Sequence, residues 1–400
     1  MITDHNLADL DKLVAAHFSI DDVTYGDPKQ PFVVRYRGKI NSSDISKEFD
    51  QLIEKLSAHQ LMPMLRKEED RQVLFLVPEI QKKRMLNPNF NLILFIITLI
   101  SVMITGGMYG FQGEPPQDFF QLIWALIQNG WPFAVSLLAI LGTHEFGHYF
   151  AGRRHGVQVT LPYFIPFPFS IFGTMGAFIN MRSLPKNRKA LFDLSVTGPL
   201  SGLVVSIVVL LIGLSLSELN QLPLAPASGS AFQMEGNSLL YLFLKFISFG
   251  KLLPQPPDLS GIALASHWVR YFFTGQPFPW GATDVMLHPV AWAGWAGLLV
   301  TGINLIPAGQ LDGGHIFFTL FGKKTAQKTF PVIVGLLVAM GFVWATWWIW
   351  AALIYFLGRS HAEPLDMVTD LDANRRWLGY FALIVFLLVF VPVPIMLVTF

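Results

Sequence analysis

His144-Glu145-Phe146-Gly147-His148 lies inside an apolar run, residues 131–150, long enough to cross a bilayer as a helix at about 1.5 Å per residue. Positions i and i+4 of a helix share a face, so His144 and His148 can present two imidazole nitrogens to one divalent metal, with Glu145 beside them. Zinc takes nitrogen ligands readily, and a catalytic zinc keeps one position for a water that a neighbouring carboxylate can deprotonate. The string alone also arises by chance. Its setting separates the two readings, because two imidazoles and a carboxylate inside a membrane segment are costly and are functional unless paired.

The composition agrees with a membrane chain. Of 400 residues, 52% are hydrophobic and 14% charged, which is too apolar for one soluble globule of this size. A formal net charge of +1 gives no reason to expect nucleic acid as a partner. The absence of cysteine removes disulfides and thiolate metal sites. Met1-Ile2-Thr3-Asp4-His5 is polar and acidic, with the pattern of neither a signal peptide nor a transit peptide, so insertion is expected to rely on the internal spans.

Residues 1–88 read as a small soluble α+β domain, regulatory or partner-binding in role. Helices are expected over 6–18 and after a cap at Ser42 or Ser43, and strands over 32–40, 61–65 and 73–77. Residues 89–400 read as a polytopic membrane domain with its core over about 131–320. Lys82-Lys83-Arg84 precede a first span at 92–108 and put the N-terminal domain on the cytoplasmic side. Residues 119–127 are too short to cross, so 131–150 is the second span, returning inward to Arg153 and Arg154.

Residues 157–187 cannot form one spanning helix, because Pro162, Pro166 and Pro168 break the hydrogen-bond ladder. Residues 173–182 instead suit a strand or hairpin beside the metal, able to hold a peptide. A third span at 191–216 carries Gly198 and Gly202, four apart, where a neighbouring backbone can approach closely. Residues 217–285 are expected outside, with 239–249 an interfacial or re-entrant helix. The fourth span, 286–306, is parallel to the second and leads through Asn304 and Pro307 to Asp312-Gly313. Asp312 therefore reaches the depth of His144 and His148 and completes a set of two histidines and one carboxylate. Residues 330–357 are expected as one tilted or broken helix and 377–398 as the last span. The fold class is thus an α-helical polytopic membrane protein of about six spanning helices, with eight as the alternative. His315 is expected at the interface, with a role orienting Asp312 as the alternative, and His155 and His288 are expected to be structural.

The two motifs, their order and their common depth resemble the site-2 proteases, a family of intramembrane zinc metalloproteases. Its members carry H-E-x-x-H on one core helix and N-x-x-P-x-x-x-x-D-G on another, matched here by His144 to His148 and by Asn304 to Gly313. Gly173 to Gly176, Arg182-Ser183-Leu184-Pro185-Lys186-Asn187-Arg188-Lys189-Ala190, Asp193 and Gly198-Pro199-Leu200 are most similar to one branch. It is the chloroplast and cyanobacterial branch named for ethylene-dependent gravitropism deficiency and yellow-green leaves. The resemblance implies one catalytic Zn2+ held by His144, His148 and Asp312, with Glu145 as general base. It implies that Asn304 contacts the substrate or steadies the oxyanion.

The implied activity is hydrolysis of peptide bonds within or next to transmembrane helices of membrane-protein substrates, as in regulated intramembrane proteolysis. The implied setting is a bacterial-type plasma membrane or a thylakoid-like membrane, with the active site toward the cytoplasmic side and the oligomeric state open. No PDZ pattern is seen in the external segment. Three other readings compete. A transporter or ion pathway could use the His/Asp cluster but leaves Glu145 without a role. A proteolytically silent homologue that binds membrane proteins would not need Glu145 intact. A protease of the prenyl-protein processing type would carry a downstream glutamate in place of Leu311-Asp312-Gly313.

Overall fold

The computed structural model describes residues 4–27, 30–68, 70–79, 88–110, 116–224, 231–358 and 363–399. Lys82-Lys83-Arg84 lie outside them. The N-terminal part runs α1 (Asp4–Ala15), β1 (Phe18–Tyr25), β2 (Val34–Ile40), α2 (Ile45–Ser57), β3 (Leu61–Glu68) and β4 (Arg71–Pro78). Its antiparallel sheet has the order β1-β2-β4-β3. Leu10, Val14, Phe49, Leu52 and Leu56 from the helices bury against Val34, Tyr36, Leu65 and Leu74 of the sheet.

Two details differ from the sequence reading. The first helix ends at Ala15, and Phe18 opens a strand that was not expected. A bulge between Ile20 and Asp22 shifts that strand's alternation by one residue, which hides its period of two. The cap of α2 is Asp44 rather than Ser42 or Ser43, its carboxylate accepting from the Lys47 amide at 3.1 Å.

Among the described residues, three helices are long and apolar enough to cross a membrane: α3 (Pro88–Gly110), α4 (Phe119–Arg154) and α5 (Arg188–Ser215). On α3, Leu92, Ile93, Ile96, Ile97 and Ile100 are exposed while Thr98, Ser101, Val102 and Thr105 are buried. The apolar face therefore looks outward, as lipid contact requires. Residues 119–127 do not stand apart but continue into α4, whose 36 residues rise roughly 54 Å. Gly130 does not break it: a Cβ there would sit 1.7 Å from the Met103 carbonyl oxygen, so the glycine is where α3 crosses α4.

Between α4 and α5 the expected hairpin is present as β5 (Tyr163–Pro166) and β6 (Thr174–Phe178). Polar groups of α3 hold its backbone in place. Asn91 Nδ2 donates to the carbonyls of Leu161 and Pro162, and Ser101 Oγ donates to that of Gly173.

Next come β7 (Glu218–Gln221), β8 (Ala231–Glu235), α6 (Leu239–Phe249), α7 (Gly261–Thr274) and β9 (Thr283–Met286). They are followed by α8 (Pro289–Asn304), α9 (Asp312–Met340), α10 (Thr346–Leu357), α11 (Ala373–Val389) and β10 (Ile395–Thr399). The segment expected outside is a small cap in which β7 pairs with β9 and β8 with β10. Two expected spans need correction. Residues 330–357 do not run one way, because Gly358 returns to Gly309 and to the Phe330 ring; the second half of α9 and α10 form a helical hairpin. The last helix stops at Val389 rather than reaching 398, since Pro392 and Pro394 remove donors, and the chain after them becomes β10. The main core lies where α4, α5, α8 and α9 meet, with Phe133, Leu137, Phe192, Val196, Trp295 and Ile316 buried.

Candidate metal centre

His144, Glu145 and His148 occupy the last turns of α4 and are all buried. Asp312 stands in the first turn of α9, brought there by a tight turn after α8. Gly309 takes φ +66 in that turn, a conformation other residues reach only with strain. A Cβ on Gly313 would lie 2.0 Å from the Leu305 carbonyl oxygen, so the glycine after Asp312 lets α9 start directly against the end of α8.

The three proposed ligand atoms converge. His144 Nε2 and His148 Nε2 are 3.1 Å apart, and Asp312 Oδ2 is 3.6 Å from the first and 3.4 Å from the second. Ligands at about 2.1 Å from a tetrahedral zinc stand roughly 3.4 Å from one another, so the residues fit such an ion without rearrangement. His148 Nδ1 donates to the Leu194 carbonyl oxygen at 2.7 Å, which leaves the Nε2 lone pair for a metal. Among the described residues this is the one group of three His, Cys, Asp or Glu side chains that converges in this way.

Helix α5 supports the histidines from behind. Gly198 lies so near that a Cβ there would sit 2.1 Å from His148 Nε2, and one on Gly202 would be 3.1 Å from His144 Cβ. Thr197 Oγ1 and Ser201 Oγ, four apart on α5, donate to the carbonyls of Gly147 and Thr143 on α4. One turn earlier, Asp193 accepts two hydrogen bonds from Arg375, Nε to Oδ1 at 2.8 Å and Nη2 to Oδ2 at 2.6 Å. His155 Nε2 reaches the same carboxylate at 2.7 Å, so α4, α5 and α11 are tied together beside Leu194.

Asn304 ends α8 with its Nδ2 3.4 Å from His144 Nε2. Two cavities meet at His144, Glu145, Asn304 and Ala177. One, of about 260 Å3, is lined by His148, Ser195, Gln310, Asp312 and His315. The other, of about 240 Å3, is lined mainly by apolar groups. Strand β6 pairs with β5 on one edge, and Thr174 to Ala177 face the second cavity while Ala177 to Ile179 face the first. The Ile179 backbone also hydrogen-bonds the Glu145 carboxylate.

All five residues singled out in the sequence are thus brought to one place. His315 is buried and lines the polar cavity rather than sitting at an interface. His155 binds Asp193, and His288 caps α8 by accepting from the Val290 amide. The sequence reading missed the Leu194 carbonyl, which no side-chain letter reports, and the Asp193 to Arg375 pair, which joins residues 182 apart.

His144 and Asn304 stand 160 residues apart in the chain, yet α4, α8 and α9 bring the two motifs together as a group that could hold a metal ion, with a carboxylate alongside. Such a donor set beside a carboxylate is what a metal-dependent hydrolase is built on. The chain belongs to peptidase family M50, whose pattern matches residues 132–345. It is 31% identical over 271 residues to the probable zinc metalloprotease EGY2, chloroplastic, of Arabidopsis thaliana, covering 67% of this chain and 43% of that protein. It is 30% identical over 283 residues to the probable zinc metalloprotease EGY1, chloroplastic, of Oryza sativa subsp. japonica, covering 70% and 43%. The probable zinc metallopeptidase EGY3, chloroplastic, of Arabidopsis thaliana is 27% identical over 296 residues, or 71% and 46%. The chain spans less than half the length of these relatives. No solved structure matches it.

Proposed function

We propose that the chain is a zinc metalloprotease that cuts a peptide bond within or beside a transmembrane helix of a membrane-protein substrate. The observation that carries this reading is the convergence of His144, His148 and Asp312, with Glu145 adjoining them, beside a strand paired on one edge. A zinc ion held by those three would acidify water and polarise the scissile carbonyl. Glu145 takes the proton from the attacking water and later delivers it to the leaving amine. Asn304 points its amide toward the ligand cluster and donates to the oxygen on which charge develops. His148 keeps its orientation through Leu194.

A helical substrate hides its carbonyls in its own hydrogen bonds and must unwind before attack. Pairing with β6 satisfies the freed groups by strand addition. The membrane is crossed by α3, α4 and α5, and α8 to α11 pack with them toward the bundle of about six spans read from the sequence. The N-terminal domain lies on the side of the active site, toward the cytoplasm or its topological equivalent, and serves in regulation or partner binding. The membrane is a bacterial-type plasma membrane or a thylakoid-like one.

The test separates metal binding from chemistry. Glu145→Gln in the reconstituted protein is expected to keep its zinc while cleavage of a transmembrane substrate falls by at least about 100-fold. Asp312→Ala is expected to lose both zinc and cleavage. Cleavage by Glu145→Gln at the wild-type rate would overturn the general-base role, and full zinc affinity in Asp312→Ala would overturn the third ligand. An ion pathway predicts metal flux that follows the ligands, with no polypeptide cut.

A further inference from the structure

The apolar cavity next to the metal ligands is not used by the chemistry above. Leu137 and Leu141 in its wall precede His144 on α4 by roughly 10 and 5 Å of helix, and Leu299 and Val300 precede Asn304 on α8. It therefore extends from the ligand cluster toward the helix N-termini, whereas the polar cavity opens at their C-terminal ends beside Asp312 and His315. Phe172 and Trp350 close it, and β6 borders it from Thr174 to Ala177.

Protein interiors rarely leave such a volume beside a reacting centre without an occupant. An apolar cavity of about 150 Å3 already accepts benzene, so one of about 240 Å3 holds a phenylalanine, leucine or methionine side chain. A carboxylate or ammonium group placed at its far end, among Leu137, Leu299 and Val300 and away from Glu145 and Asn304, would meet apolar walls at a cost of several kcal/mol. A peptide paired with β6 sends successive side chains to opposite sides, so only one of two neighbouring residues can enter.

We propose that this cavity is a substrate subsite that selects a large apolar side chain at one position next to the cleaved bond, with little selection at the position adjoining it. The inference rests on the protease reading and assigns the polar cavity to the water supply. The specificity-determining residues are those lining the apolar side alone, above all Val300, which contributes neither a ligand nor a proton.

The experiment uses the full-length protein in liposomes with a panel of one transmembrane substrate. Each residue flanking the mapped cut is replaced in turn by Ala, Leu, Phe and Lys. Wild type is expected to favour Leu or Phe over Ala at one position by at least about tenfold in kcat/KM, and to reject Lys there. Val300→Phe fills the cavity and should erase that preference, lowering the Phe-to-Ala ratio of kcat/KM by at least about tenfold, with zinc content unchanged. Val300→Ala widens it and should extend acceptance to Trp.

Equal loss on every substrate with zinc retained would overturn the subsite, as would a wild-type enzyme indifferent at every position. If wild type cuts nothing, or if chelation leaves cleavage intact, the protease reading fails first and the subsite falls with it.

Discussion

Gly198 decides whether His148 can act as a ligand at all. A methyl group there would overlap the imidazole at 2.1 Å from Nε2, and helix α5 cannot retreat without breaking the Thr197 and Ser201 bonds to α4. Gly198→Ala is therefore expected to lower zinc affinity by at least about tenfold and to lose cleavage, as displaced ligands do. Gly202→Ala meets the Cβ of His144 at 3.1 Å, a contact a small shift can relieve, and should cost only a fewfold. Zinc competition against a chelator measures both. The convergence of His144, His148 and Asp312 was legible because helical spacing and the order of the apolar runs are written in the letters. The pair Gly198 and Gly202 was half legible: their spacing announced a close approach, but not that imidazoles would be what approaches.

Elements were legible where one periodicity ran unbroken, as in α3, α5 and β4. They were obscured where a local device interrupted it, as with the bulge in β1, or where a short apolar run, residues 119–127, continued through Gly130 into α4. The outer cap lay beyond reach for another reason. Its strands pair across long separations, and its buried charged cluster draws on three separate elements. Glu235 of β8 and Asp284 of β9 each lie 4.0 Å from Lys245 Nζ of α6, and Tyr241 donates to Glu235 at 2.9 Å. Tyr271 of α7 also faces this cluster. Burial pushes both carboxyl groups up, with Lys245 opposing the shift. A carboxyl group raised on folding binds its proton more tightly in the folded state, so the cap is most stable below the ordinary carboxylate range. Stability is lost as pH rises from there through the raised values. Protection of the β8 and β10 amides, relative to their intrinsic exchange rates, should accordingly fall as pH rises from about 5 to about 7, and Glu235→Gln should flatten that dependence. A cap that tightens toward alkaline pH would contradict it.

At the scale of the whole molecule, the N-terminal domain is docked rather than tethered. Leu365 belongs to its hydrophobic core, and the Leu65 amide donates to the Leu365 carbonyl while the Met367 amide donates to that of Leu65. The Asp366 amide in turn donates to the Lys186 carbonyl, two residues before α5 begins. One short segment thus joins the edge of β3 to the helix that backs both histidines. Arg66 secures it, pairing with Glu363 at 3.2 Å and donating to the carbonyls of Pro364 and Leu365. Removing residues 1–80 should leave zinc bound, since no ligand comes from them, but it should expose Leu365 and Leu184. Arg66→Met should loosen the segment by about 1–3 kcal/mol, read as faster exchange at Leu65 and Met367. Loss of zinc in a stable, inserted truncation would mean that the domain is part of the site.

The cap closes on another timetable. Ile395 of β10 pairs with Glu235 of β8, a partner made roughly 160 residues earlier. While α8 and α11 are being synthesised and inserted, β8 waits without its neighbour, and Glu235, Lys245 and Asp284 remain hydrated. The strand that fastens the cap follows α8 and α11 in the chain, so the cap can seal only after those helices have been made.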